Sequence, residues 1–354
     1  MIFSFKDAYR QAVEFLSDGQ NTVMYDDQGN PNIMVCIPKY TLDMIKFGKE
    51  DTHPAFVCEG KEVNEFWISK YQNTIGNGGV PCSMPDADPA IVTPQVIHDS
   101  CLKKGRGWHQ MTNLEWMAVA FMSWKTGKSK PGASHNNPEL IASIHRDEKG
   151  FPMNEIGEPS LSHDGTIHGI IGMNGGYWEH VDGIYTMNTH GVVRNIYWNA
   201  AEDGSPINAF DNPHYVCVDN INLDSGRKSE STPLYVDIDC DDGLSYVQNS
   251  VYIFNQFTNS EICGSNFDGL YPKTKTRDFN WLHELGLVKM DGMTEESGVY
   301  GIAATREGLE SRFLARGGDI ILREGYCGLF GYYFYHQLNE GNDVTSFRSV
   351  YISK

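Results

Sequence analysis

The sequence has no apolar run approaching the roughly 20 residues a membrane-spanning helix needs, so it is not expected to insert into a bilayer. Cations are also scarce: 28 lysines and arginines stand against 46 aspartates and glutamates, a net charge of −18, and no Lys/Arg stripe opposes that balance locally. A phosphate backbone would be repelled on average, which argues against a nucleic-acid partner. Paired-cysteine spacing is missing as well. Cys36, Cys58, Cys82, Cys101, Cys217, Cys240, Cys263 and Cys327 are scattered with no CxxC, and they are expected to be buried thiols made in a reducing cytosol. HExxH, GxSxG, a P-loop and a GxGxxG following a strand are absent, together with the chemistries those motifs carry. Met1 to Ser17 has no small-residue cleavage site after it and is interrupted by Asp7, Arg10 and Glu14, so it reads as a mature N-terminus made without a signal peptide.

What is present is ordinary for a soluble protein: 21% charged and 40% hydrophobic residues. A chain of 354 residues can bury a large core, and one elaborated domain is favoured over two. Residues 1–31 read as an N-terminal helix and lead-in. Ser4 with Asp7 would cap the helix, and Phe5, Ala8, Tyr9, Ala12, Val13 and Leu16 recur on one face before Ser17-Asp18-Gly19. The main domain is then 32–354. Strands are expected at Asn32–Ile37 and Glu65–Tyr71 from their β-branched and aromatic content. Thr93 and Pro94 start a helix with Val96, Ile97, Ser100 and Cys101 on one face and Gly105 beyond its end. Thr112 and Glu115 form a capping box for another, running to about Trp124 and closed by Gly127.

Lys128 to His168 reads as surface loop, and Gly169 to Tyr185 as a glycine-spaced strand near the core. Residues 199–277 form a polar insertion with short strands, and Asp278 caps a short helix, Phe279 to Leu285, ended by Gly286. The C-terminal segment, about 316–353, begins with a glycine pair, Gly317-Gly318, suited to a turn at positive φ, and closes on a strand from Phe347 to Ser353. Composition and pattern alone give α+β.

Several stretches, in order, resemble the formylglycine-generating-enzyme (sulfatase-modifying) superfamily, whose fold is an elaborated C-type-lectin fold. They are Phe66-Trp67-Ile68-Ser69-Lys70-Tyr71; Gly105-Arg106-Gly107-Trp108-His109-Gln110-Met111-Thr112-Asn113 with Glu115-Trp116; Ser162-His163-Asp164-Gly165; Met173-Asn174-Gly175 with Trp178-Glu179 and Val181-Asp182-Gly183; Leu285-Gly286-Leu287; Arg316-Gly317-Gly318; Cys327-Gly328-Leu329-Phe330; and Phe347-Arg348-Ser349. The closest likeness is to its ligand-binding branch, the variable proteins of diversity-generating retroelements and related phage tail-tip receptor-binding proteins. The resemblance implies mixed, mainly antiparallel strands with two or more helices and long loops.

Catalytic members of the superfamily hold copper with two cysteines about five residues apart. Cys327 can stand for one, but Ile321 to Arg323 offer no sulfur for the other, so no catalytic residue is assigned. In the binding branch the ligand-facing residues lie between the glycine turn and the Phe-Arg-Ser strand. Carried onto this chain they are Asp319, Ile321, Leu322, Arg323, Glu324, Tyr326, Tyr333, Tyr335, His336, Asn339, Asn342 and Asp343. Tyr and Arg suit recognition, since Tyr offers contact area at low entropy cost and Arg forks onto carboxylates. Alternation within a strand would turn Tyr333 and Tyr335 outward and Tyr332 and Phe334 inward. Ile320 stands near a position where typical members carry Trp.

Other clusters have plainer readings. His163-Asp164 beside His168 is expected to hydrogen-bond loop backbone rather than a metal. The Asp237, Asp239, Asp241, Asp242 run has Gly243 one place late and Gln248 where a bidentate Glu belongs, which weakens a calcium loop. Trp67, Trp108, Trp116 and Trp178 are expected in the core rather than on a sugar-stacking platform. No cofactor is assigned, and a structural calcium is left open. The functional expectation is a non-enzymatic protein of a phage tail or bacterial cell surface that presents its C-terminal segment to a cell-surface protein or glycan. Phage tail proteins are its expected neighbours, and avidity would favour a homo-oligomer. The alternative is a metal-dependent oxidase of the same superfamily.

Overall fold

The computed structural model describes residues 5–45, 50–128, 159, 162–188, 193–201, 205–210, 214–217, 221–222, 227–228, 235–237, 250–253, 257–259, 262–266, 283–287, 289–290, 292–294, 302–306, 310–318, 328–341 and 345–353. These residues form a mixed α+β fold with three α-helices, α1 (Phe5–Leu16), α2 (Pro94–Leu102) and α3 (Asn113–Lys125), and mainly antiparallel sheets. The two helix starts expected at Thr93 and Thr112 are found. The Thr93 hydroxyl accepts from the Val96 N–H, and at α3 the Thr112 and Glu115 side chains cap each other's backbone N–H groups.

A five-stranded antiparallel sheet runs Asn21–Tyr25, Pro31–Pro38, Glu65–Ser69, Ser349–Tyr351, Trp108–Gln110. Its first strand, Asn21–Tyr25, lies in what the sequence suggested was lead-in. The larger sheet is centred on Trp178–Asn188, Arg312–Gly317 and Gly328–His336, which are antiparallel neighbours in that order. Outward on one side lie Val193–Asn199 and Tyr235–Asp237, and on the other Ile302–Arg306 and Ile262–Asn266. Most described strands of the 199–277 stretch thus extend this sheet, whereas Ile221–Asn222 and Arg227–Lys228 pair with each other in a separate two-stranded sheet. Thr345–Phe347 pairs parallel to Trp178–Asn188, and Ser349–Tyr351 then joins the smaller sheet, so Arg348 sits where the chain crosses from one sheet to the other.

The core gathers residues of both sheets around α3. α3 is buried on nearly every side, as a helix apolar all round must be, and it packs on the Trp178–Asn188 and Gly328–His336 strands. α2 buries Ile97, Ser100 and Cys101 but leaves Val96, expected on the same face, at the surface. Ile97 and Cys101 are spaced i, i+4, whereas Val96 lies one residue, about 100°, around the helix. Gly169 to Gly176 is turn rather than strand; the strand begins at Trp178. Cys36, Cys58, Cys82 and Cys101 are free thiols, Cys36 half-buried and the others buried. No described helix is long and apolar enough to cross a membrane.

Candidate functional site

Two fully buried arginines brace the C-terminal segment. Arg316, just before the glycine pair, donates from Nε (2.9 Å) and one terminal nitrogen (2.7 Å) to Asn113 Oδ1, and also to the Leu285, Gly286 and Phe330 carbonyls. Arg348 forks onto Glu179 at 2.6 and 2.8 Å and donates to the Ser69, Lys70 and Ile171 carbonyls. Glu179 receives a further bond from Gln72 Nε2 at 3.0 Å. A buried charge is tolerable only with this degree of partnering, and losing one partner is costly. Gly317 has φ +92°, and an added Cβ would lie 3.0 Å from the Met173 carbonyl and 3.3 Å from the Trp116 ring. Conformation and space both require glycine there.

Of the candidate ligand-facing residues, Tyr333, Tyr335, His336 and Asn339 can be placed. Asp319, Ile321, Leu322, Arg323, Glu324, Tyr326, Asn342 and Asp343 lie outside the described residues, as do Cys327 and the aspartates from Asp239 to Asp242. Tyr332 and Phe334 pack inward as expected. Tyr333, expected to face out, is only 8% exposed, because the Trp178 indole lies 5.9 Å from its ring on that side of the sheet. His336 is 2% exposed and stands edge-on to His180 at 5.0 Å, with Nε2 3.3 Å from the Thr345 hydroxyl. Tyr335 is half-buried and Asn339 is exposed.

Three of the tryptophans, Trp108, Trp116 and Trp178, are core residues. Trp67 is half-buried, since alternation along its strand turns Phe66 and Ile68 inward and Trp67 away, its Nε1 donating to Glu65. His163 accepts from the Ile170 N–H at 2.9 Å, and Asp164 accepts from the Thr166 N–H and from the Ser162 and Thr166 hydroxyls, so both organise a loop. Among the described residues no three His, Cys, Asp or Glu side chains converge as a metal site would.

A different set of residues surrounds a pocket of about 280 Å³ between α2, the Trp178–Asn188 strand and the turn after His336. His98 reaches from the second turn of α2 and its Nδ1 lies 2.8 Å from Asp182 Oδ2. A carboxylate only accepts, so Nδ1 carries the proton. Asp182 Oδ1 accepts from the Gly183 N–H at 2.7 Å and from the Tyr215 hydroxyl at 3.3 Å. Burial would raise the Asp182 pKa, but the bonds from His98, Gly183 and Tyr215 outweigh it and hold the carboxyl below its ordinary range. Burial and the neighbouring carboxylate push the Tyr215 phenol up, so it stays a donor.

His180 lies two residues before Asp182 on the same strand and lines the same pocket. Burial and His336 lower its pKa to about 3, against a smaller opposing effect of the Leu314 backbone, so the ring is neutral. Neither of its nitrogens makes a well-formed hydrogen bond. Phe313, Val181, Pro94 and Leu338 supply apolar wall, and the Gln95 N–H donates to the Leu338 carbonyl, joining α2 to the C-terminal turn. The described lining includes a His–Asp pair but no Ser, Thr or Cys that could serve as a nucleophile beside it.

The sequence reading did not single out this pocket. Its one local signal is His180-Val181-Asp182, two polar side chains at strand spacing inside a buried strand. No protein-family model matches the chain, and no curated protein matches it.

Proposed function

We propose that the chain is a non-enzymatic binding protein with an elaborated C-type-lectin fold of the formylglycine-generating-enzyme type, presenting residues from about 319 to 343 to a cell-surface protein or glycan. The observation that carries this reading is the pair of buried arginines. Arg316 anchors the strand that leads into 319–327, and Arg348 anchors the strand that follows 342–344, with Gly328–His336 held between its neighbours in the sheet. Recognition loops rooted in a rigid scaffold can vary without unfolding it, which is the physical requirement of a display protein. The order of the motifs along the chain supports the same reading. So does the absence of sulfur at Ile321 to Arg323, where an oxidase of this superfamily would need its second copper ligand.

Burial of Tyr333 and His336 shifts the contact set toward Tyr335, Asn339 and the residues around Arg323. Replacing Arg323, Tyr335 and Asn339 together by alanine should reduce adsorption to the bacterial cells that the unaltered protein binds by at least about tenfold, the scale of a hot-spot loss. The variant should stay folded, with only the modest fall in melting temperature that trimming the half-buried Tyr335 ring entails. Unchanged adsorption by the folded variant would remove the segment from recognition. Stoichiometric copper or iron in the purified protein, with turnover of a cysteine peptide, would replace the binding reading by the oxidase one.

A further inference from the structure

We infer that the pocket between α2 and the Trp178–Asn188 strand binds a small primary ammonium ion carrying a short apolar tail. This does not rest on the display reading, because the pocket residues precede the segment from 319 to 343 in the chain, Leu338 excepted.

Charge excludes one class first. The described lining contains no lysine or arginine, and its His98 is already committed to the Asp182 carboxylate at 2.8 Å, so an anionic ligand would meet repulsion from Asp182 and no uncommitted cation. Acceptors then dominate the polar groups. Asp182 takes three donors, from His98, Gly183 and Tyr215, out of roughly four acceptor sites on a carboxylate. Gln110 donates its Nε2 to the His180 carbonyl at 3.1 Å, which leaves the amide oxygen as its accepting end. His180, neutral and 1% exposed, has ring nitrogens without well-formed partners. A neutral imidazole offers one acceptor nitrogen, and a buried polar atom left unmatched is destabilising, so a donor there is favoured.

Three acceptors from three side chains match the three N–H donors of a primary ammonium. A hydroxyl could satisfy only one of them. Phe313, Val181 and Leu338 form the apolar side, where a short alkyl or aryl tail would displace water. The volume of about 280 Å³ falls just below the range of drug-sized ligands.

The test is calorimetric titration of the full chain with 2-phenylethylammonium and butylammonium, against 2-phenylethanol and phenylacetate as neutral and anionic counterparts. The ammonium probes should bind, and the alcohol and carboxylate should bind at least about tenfold more weakly. Asp182→Asn should weaken ammonium binding by at least about tenfold as well. Asp182 also organises His98, Gly183 and Tyr215, so that variant can lose binding by misfolding. Leu338→Trp is therefore the deciding substitution, since Leu338 is 38% exposed at the rim and a larger ring there fills the pocket without entering the core. Folded Leu338→Trp protein should lose ammonium binding. Retention of binding by that variant would overturn the inference. So would equal affinity for the alcohol, or no heat from either ammonium probe up to about 10 mM, a limit weaker than the scale of about −4 kcal/mol for millimolar affinity.

Discussion

α1 and α3 are nearly the same length, yet they hold opposite places in the fold. α1 has the regular apolar spacing of an amphipathic helix, but none of its residues is buried, and Phe5, Phe15 and Leu16 are 88%, 86% and 78% exposed. It docks by one edge, with Tyr9 and Val13 on a small cluster of Val23, Ile33, Tyr71 and Ile171. α3 shows little amphipathic period because apolar residues occur all around it, and it is sealed within the main core, between the larger sheet and the short helical turns Leu42–Ile45 and Pro54–Phe56. Amphipathic spacing therefore shows that a helix has a face to offer. How much of the face is covered depends on which strands the topology brings to it.

Acid should break this comparison most strongly, by acting on the α3 side. His53, His163 and His180 have pKa values lowered by burial to about 3, 4 and 3. Two of them adjoin α3: the His53 ring lies 6.3 Å from Phe121, and the His163 carbonyl accepts from Ser123 at 2.7 Å. Each folded-state value is depressed below the ordinary 6.5, so below pH 6.5 the unfolded chain takes up protons that the folded chain refuses. Their stability contribution is complete above pH 6.5 and is lost as pH falls toward 4. Each group accounts for at most about 1.4 kcal/mol per pH unit, so the three together give at most about 4. Urea midpoints at pH 7.0, 5.5 and 4.5 measure this, and midpoints that stay level would show the imidazoles to be hydrated in the native state.

Trp116→Ala should have the next largest effect. The indole is fully buried near the start of α3, lies against Gly317, and donates from Nε1 to the Leu329 carbonyl at 2.7 Å. Removing it leaves a cavity and an unpaired carbonyl, for a loss of about 3–5 kcal/mol. Because Gly317 and Leu329 flank the connection from 318 to 327, the same change should also weaken adsorption if that segment makes the contacts. Denaturant unfolding gives the stability term, and a loss below about 1 kcal/mol would mean the core collapses around the gap.

These core features were partly legible. Thr93-Pro94, Thr112 with Glu115, and Gly317-Gly318 carry their own signals, because a cap or a positive-φ turn is set by residues within a few positions. The importance of Arg316 and Arg348 was legible as motif, but their work was not. Arg316 meets Asn113 across 203 residues and Arg348 meets Glu179 across 169, and no local rule reaches that far. Tyr333 was misplaced because period-2 reasoning assumes one wet face, and this strand is buried on both. The pocket was least legible. His98, Gln110, Asp182, Tyr215, Phe313 and Leu338 come from separate elements, and only folding gives them a common wall.

The smallest expected effect tests α1. Phe15→Ser with Leu16→Ser removes two large apolar side chains from the exposed side of the helix while leaving Tyr9 and Val13 on their cluster. Neither residue loses buried area, so the stability change should stay within about 0.5 kcal/mol, as for surface substitutions generally. Val13→Ala, on the docked edge, should cost more, up to about 1 kcal/mol for partly buried methyl groups. Thermal melts over a range of protein concentrations separate two outcomes. Concentration-independent melts with the expected ranking keep α1 as a lightly attached helix. If the double serine variant melts lower and the unaltered protein's melt rises with concentration, Phe15 and Leu16 are covered by a second copy, and the contrast with α3 holds only for the isolated chain.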